Sequence, residues 1–136
     1  MAVMANSYQQ YIRHDVMMAT PMELVVMLYT GCIKRLRLGQ IALEKNDIEA
    51  ANAHLQRAQD IVVELIMGLD LNYDIARDLL KIYEFVHRQI VSANAAKDAA
   101  MIPPITEIMS TLREAWVQVQ KENKTVVHFD YTDESE

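Results

Sequence analysis

The stretch Ile48–Leu69, IEAANAHLQRAQDIVVELIMGL, decides the fold. Ile48, Leu55, Val62 and Leu69 recur every seven residues, and Ala51, Ala58 and Leu65 complete the same stripe. A seven-residue apolar period is that of a helix packed lengthwise against other helices. The stripe begins behind a polar break, Lys45, Asn46 and Asp47. Asp47 or Asn46 is suited to cap the helix by accepting a hydrogen bond from its unpaired first amides.

Upstream, Thr20, Pro21 and Glu23 form a capping box: a hydroxyl at the cap, proline at the first helical position where no N–H is required, and a carboxylate three residues after the cap. A first helix is expected from Pro21 to about Glu44. Downstream, the break at Asp70, Leu71 and Asn72 lets Asn72 cap a third helix, with Ile75, Leu79, Ile82, Val86, Ile90 and Ala93 on its buried side and an end near Ala95. A fourth seam reads Ile105, Ile108, Leu112, Ala115 and Val119, with Trp116 beside it. Pro103 and Pro104 cannot donate backbone hydrogen bonds and push the residues before them away from helix. A loose turn is therefore expected at 98–102, with regular helix from about Pro104. Four seams joined by short connections make each helix antiparallel to the one before it. The expected fold is all-α, an antiparallel up-down four-helix bundle.

Composition agrees. The chain has 136 residues, enough for one domain, with 51% hydrophobic residues and only three Gly and three Pro. Its organisation reads as an N-terminal arm over 1–20, a bundle over 21–121, and an acidic tail over 122–136 expected to be disordered, although Val126–Tyr131 alternates like a short strand. The net charge of −6, without a cluster of cations interleaved with aromatics, argues against a nucleic-acid partner. No apolar run approaches the roughly 20 residues of a membrane span, and no secretory signal is visible, so a cytoplasmic location without membrane insertion is expected. The single cysteine, Cys32, sits inside a helical apolar pattern and reads as a core residue in a reducing compartment.

No cofactor is expected. Glu84 and His87 form a Glu-x-x-His pair of the kind used by di-iron bundles, but no second pair exists in the chain. His14, His54 and His128 have no ligand partners at metal spacing. Glycine-rich phosphate loops and nucleophile elbows are absent from the sequence. A metal-dependent bundle enzyme at Glu84 and His87 is thus a minor alternative to a protein that is not an enzyme.

The first helix poses a different question, because it carries two apolar stripes. One runs through Leu24, Leu28, Gly31, Leu38 and Ala42, the other through Val25, Tyr29, Cys32, Leu36 and Leu43. Either this helix touches two neighbours and needs a wide apolar face, or part of the face, or the groove beside it, receives another segment of chain. Nine Met residues, five of them at positions 4, 17, 18, 22 and 27, favour the second reading, since flexible thioethers suit surfaces that accommodate a peptide. The preceding arm, with Tyr8, Tyr11, Ile12, Val16 and Met17, is too apolar to be a fully solvated tail.

The run Tyr11, Val16, Ala19, Pro21, Glu23, Leu24, Met27, Leu28, Tyr29 and Gly31 resembles the signature of flagellar secretion chaperones of the FliS type. The likeness continues through Asp47–Ala50, the Leu69–Tyr73 turn, Leu80–Tyr83, Arg88, Asn94, Asp98, and Leu112, Arg113 and Trp116. Pro103 and Pro104 stand where members of that family tend to have carboxylates. The resemblance implies a bundle that holds the disordered C-terminal segment of flagellin, blocks premature polymerisation and keeps the client fit for flagellar type III secretion. It also implies an arm that covers part of the groove until the client displaces it, and release by handover to an export-gate component. The client-binding residues expected on this basis are Tyr8 and Tyr11 in the arm, with Tyr29, Leu69, Tyr73, Tyr83 and Trp116 as anchors near grooves. A homodimer formed by exchanging arms is compatible with it. The competing class is a structural homo-oligomer whose surplus apolar face pairs with itself.

Overall fold

The structure, a computed structural model, describes the backbone of residues 21–135 and side chains as far as Glu122. Four helices, α1 (Pro21–Glu44), α2 (Ile48–Met67), α3 (Asp74–Ala96) and α4 (Ile102–Ser135), are joined by short connections, the last containing a single 3-10 turn at Ala99–Met101. Contacts run round a ring from α1 to α2, α3, α4 and back to α1, and the α1–α2 pair is the most intimate. This is the antiparallel four-helix bundle expected from the sequence.

Each connection follows from its residues. Asn46 takes the left-handed conformation at φ 59° that its short polar side chain tolerates, and the Asp47 carboxylate accepts from the Ala50 amide at 3.2 Å, capping α2. At the α2–α3 turn the cap differs from expectation. Asp70 accepts from the Asn72 amide at 3.1 Å, which places Asn72 inside the turn and makes Tyr73, in extended backbone, the residue before α3. The first turn of α3 is held instead by Arg77, which donates to the Leu71 carbonyl at 2.7 Å and pairs with Asp74. Before α4, Asp98 accepts from the Ala100 amide at 3.0 Å, and regular helix begins at Ile102, earlier than expected. Pro103 and Pro104 fall in its first turn, where the missing N–H groups would have had no intrahelical acceptor.

The core is built on the expected α2 stripe, with Ala51, Leu55, Ala58, Ile61, Val62 and Leu65 buried. Small residues let α1 and α2 approach closely: a Cβ added at Gly39 would lie 2.7 Å from Leu55 Cδ2. Of the two α1 stripes, that of Tyr29, Cys32, Leu36 and Leu43 is buried, joined by Ile33, Gly39 and Ala42. Leu24, Leu28 and Leu38 are half-buried. Contact with both α2 and α4 therefore accounts for most of the width of the apolar face. Between α2 and α3, Asn94 Nδ2 donates to Asn52 Oδ1 at 3.0 Å, a directional link on the flank of an apolar seam.

The seams fail at their ends. Ile48 and Ile75 are 48% and 65% exposed, because each is near a helix start where no neighbour covers it. In α4, Ile102, Ile105 and Met109 are buried, Ile108, Leu112 and Trp116 are half-buried, and Ala115 and Val119 are exposed. The backbone of α4 continues to Ser135. Between Pro104 and Ser135 there is no Gly or Pro to end a helix once propagation has begun, whereas a strand would need a partner that the described residues do not provide.

Candidate binding surface

Three aromatic side chains meet where α1, α3 and α4 converge. Tyr29 and Tyr83, at 0% and 1% exposure, cross the diagonal of the bundle with ring centroids 6.2 Å apart and planes tilted by 58°, and their hydroxyls hydrogen-bond to each other. Burial raises the pKa of both phenols above the ordinary tyrosine range. For Tyr29 the Tyr83 hydroxyl adds to the rise, while the nearby Trp116 indole N–H, a donor that favours phenolate, opposes it for both. The pair gives each phenol a partner in the core. Cys32 lies in the same core, its thiol pushed up to about 12 by burial. A thiol so raised is a poor nucleophile.

Trp116 also lines a groove between α3 and α4, the helices that touch least among neighbours in the ring. This groove, about 240 Å³, is lined only by Ile75, Leu79, Leu112, Ala115, Trp116 and Val119. From Ile75 the chain runs back into the α2–α3 turn, where Tyr73 (64% exposed), Leu71 (49%) and Met67 (79%) also face outward. This pole of the bundle consequently exposes several large apolar side chains, interspersed with Asp70, Asn72 and Asp74, and Leu69 is half-buried there against the core. Scattered apolar residues on a surface are ordinary, but a cluster continuous with a groove marks a contact site.

Of the expected anchors, Trp116 lines the groove, Tyr73 is exposed and Leu69 half-buried at the α2–α3 turn, and Tyr29 and Tyr83 are buried in the core. Tyr8 and Tyr11 lie outside the described residues. Sequence reading missed Met67 and Leu71 as surface contributors and assigned Ile75 to the buried seam, whereas Leu79 is buried as expected while also lining the groove. The signal available for the first two was the apolar run that continues through the α2–α3 turn. Glu84 and His87 line a shallow cleft between α2 and α3 with Val63, Ile66 and Arg88. Among the described residues no three His, Cys, Asp or Glu side chains converge, and no helix is long and apolar enough to cross a membrane.

An up-down bundle with a phenol pair at its centre and an apolar groove opening onto an apolar pole defines an interaction module. Comparison with known proteins makes the class specific. Residues 4–123 match the family described as flagellar protein FliS. The chain is 37% identical over 120 residues to the flagellar secretion chaperone FliS of Bacillus subtilis, covering 88% of this chain and 90% of that one. It is 33% identical over 106 residues to the flagellar secretion chaperone FliS of Vibrio cholerae, covering 76% and 78%. A solved structure described as the crystal structure of a flagellar chaperone from bacteria shares the fold, with a TM-score of 0.71 at 20% identity over 87% of this chain and 98% of the other. The chain belongs to the FliS family, whose members are chaperones of flagellar export and not enzymes.

Proposed function

We infer that this chaperone binds the C-terminal segment of flagellin in the cytoplasm, prevents its premature polymerisation and keeps it competent for flagellar type III secretion. The observation that carries this reading is the apolar groove beside Trp116 and its continuation onto Tyr73, Leu71 and Met67. A disordered client that orders on binding must bury roughly 1,000–3,000 Å² to offset its ordering entropy. A groove of about 240 Å³ seats only the first apolar side chains of such a segment, and the exposed pole provides the area over which the rest can spread. A helical client laid between α3 and α4 would shield its own apolar stripe from other flagellin chains.

The arm over 1–20 competes for this surface through Tyr8 and Tyr11, Leu69 and Tyr73 form the rim of the site, and Tyr29 and Tyr83 act by holding Trp116. Residues 21–121 are the unit that carries client binding. Release by handover to an export-gate component requires no nucleotide. The test is calorimetric titration with a peptide of about 40 residues from the flagellin C-terminus, followed by circular dichroism. One-to-one binding with a negative heat-capacity change and a gain of helix supports the reading; no binding by the folded protein with its arm removed refutes it. The same exposed pole favours a second reading, self-association. Dimers that form with concentration and resist the client peptide would point to a structural homo-oligomer, whereas dimers lost on deleting residues 1–20 would point to arm exchange.

A further inference from the structure

The other flank of α4 carries a groove of opposite character. α1 contains three cations, Lys34, Arg35 and Arg37, and helix geometry divides them. Arg35 turns toward α2, where its guanidinium lies 3.1 Å from His54 Nδ1. Lys34 and Arg37, three residues apart and so on one face, line a groove of about 560 Å³ between α1 and α4. Arg113 lines its opposite wall, fixed by donation from Nε to Thr30 Oγ1 at 2.7 Å. Ile33 and Leu38 supply apolar lining, and Glu114 is the one carboxylate among the lining residues. The ion pairs among the described residues are Arg57 with Glu64 and Arg77 with Asp74, and none involves the three groove cations. Three cations against the one carboxylate of Glu114 leave the lining net positive in a chain of net charge −6, a local field that favours an anion.

We propose that this groove binds an acidic peptide segment of a protein partner, one whose carboxylates are spaced by apolar side chains, independently of the apolar pole. Charge complementarity selects the acidic groups, and Ile33 and Leu38 select the apolar ones. A nucleic acid fits less well. Thr30 to Leu38 spans only about 12 Å of helix, and beyond the groove a polyanion meets a surface of net negative charge.

The experiment is fluorescence anisotropy of the full chain with a labelled synthetic peptide in which Asp and Glu alternate with Leu, at low and at physiological salt. Saturable one-to-one binding that weakens with salt is expected, and none with a peptide carrying Lys at the acidic positions. The double variant Lys34→Glu/Arg37→Glu should bind at least about tenfold more weakly. Its circular dichroism should be unchanged, and Lys34→Gln/Arg37→Gln should fall between it and the native chain. Lys81→Glu, a single charge reversal on exposed α3 surface, should leave binding within about twofold. The proposal is overturned if the peptide does not saturate, if the groove variants bind as well as the native chain, or if Lys81→Glu weakens binding as much as they do. It is likewise overturned if a single-stranded oligonucleotide of equal charge competes as well as unlabelled peptide, which would make the groove a general polyanion site.

Discussion

Replacing Tyr29 by Phe removes one hydroxyl from the bond that crosses the bundle diagonal and leaves the ring, with its packing, in place. The Tyr83 hydroxyl then loses its hydroxyl partner inside a site where Tyr83 is 1% exposed. Loss of a net-favourable hydrogen bond, about 1 kcal/mol, and an orphaned buried hydroxyl, about 1–3 kcal/mol, together place the cost at roughly 2 kcal/mol, with Phe regaining a little by its lower polarity. Tyr83→Phe should cost a similar amount by the mirror argument. The double variant removes the orphan as well as the bond. It should therefore lose about 1–2 kcal/mol, well short of the sum of the singles, a coupling of about 2 kcal/mol. Urea unfolding followed by circular dichroism, and by the fluorescence of the chain's single tryptophan, measures all four proteins. Each single should also melt roughly 5–8 °C below the native chain. Additivity within about 0.5 kcal/mol would refute the reasoning, because it would mean that the two hydroxyls do not act on each other.

Gly39→Ala should destabilise by about 1 kcal/mol in urea: the helix gains propensity worth about 1 kcal/mol, but the new methyl would lie 2.7 Å from Leu55 Cδ2 in a side chain with no exposure, and overpacking costs about 1–3 kcal/mol. A more stable variant would show that Leu55 can move aside. Stability should be level near neutral pH and fall above pH ~9, by as much as about 1.4 kcal/mol per unit for each group involved. The sign follows from folded-state pKa values raised above those of the unfolded chain, to about 12 for Cys32 and upward for Tyr29 and Tyr83, so that the unfolded chain loses these protons first. Urea midpoints across that range test it, and Cys32→Ala should remove the earliest part of the decline; midpoints that stay level would show that the thiol and phenols ionise in place. Ile75→Ser, at a position 65% exposed, should change the unfolding midpoint by less than about 0.5 kcal/mol yet weaken the flagellin peptide severalfold in calorimetry, and equal loss in both would make Ile75 structural. Tyr11→Ala should likewise alter client affinity far more than melting temperature if the arm competes for the groove, whereas parallel losses would make the arm a structural element.

The parts of this molecule that sequence disclosed are those governed by local rules. The α2 stripe, the Asp47 cap and the start of α1 at Pro21 each depend on a few neighbouring residues, and each stands where those residues place it. The parts that escaped depend on what lies across space. Periodicity assigned Ile48 and Ile75 to buried seams because it records which way a residue points and nothing about where the neighbouring helix stops. Tyr29 and Tyr83 read as groove anchors for the same reason: an aromatic within an apolar stripe has the same pattern at the centre of a bundle as at its edge.

The same distinction explains how one bundle can be stable and still offer an apolar surface. The α1–α2 half is closed by small residues, Gly39, Ala51 and Ala58, that bring its helices together. The α3–α4 half touches least, and the large half-buried side chain of Trp116 occupies the space between. The cost of leaving apolar residues in water is thus concentrated on one pole and one groove, where a bound segment of chain would recover it.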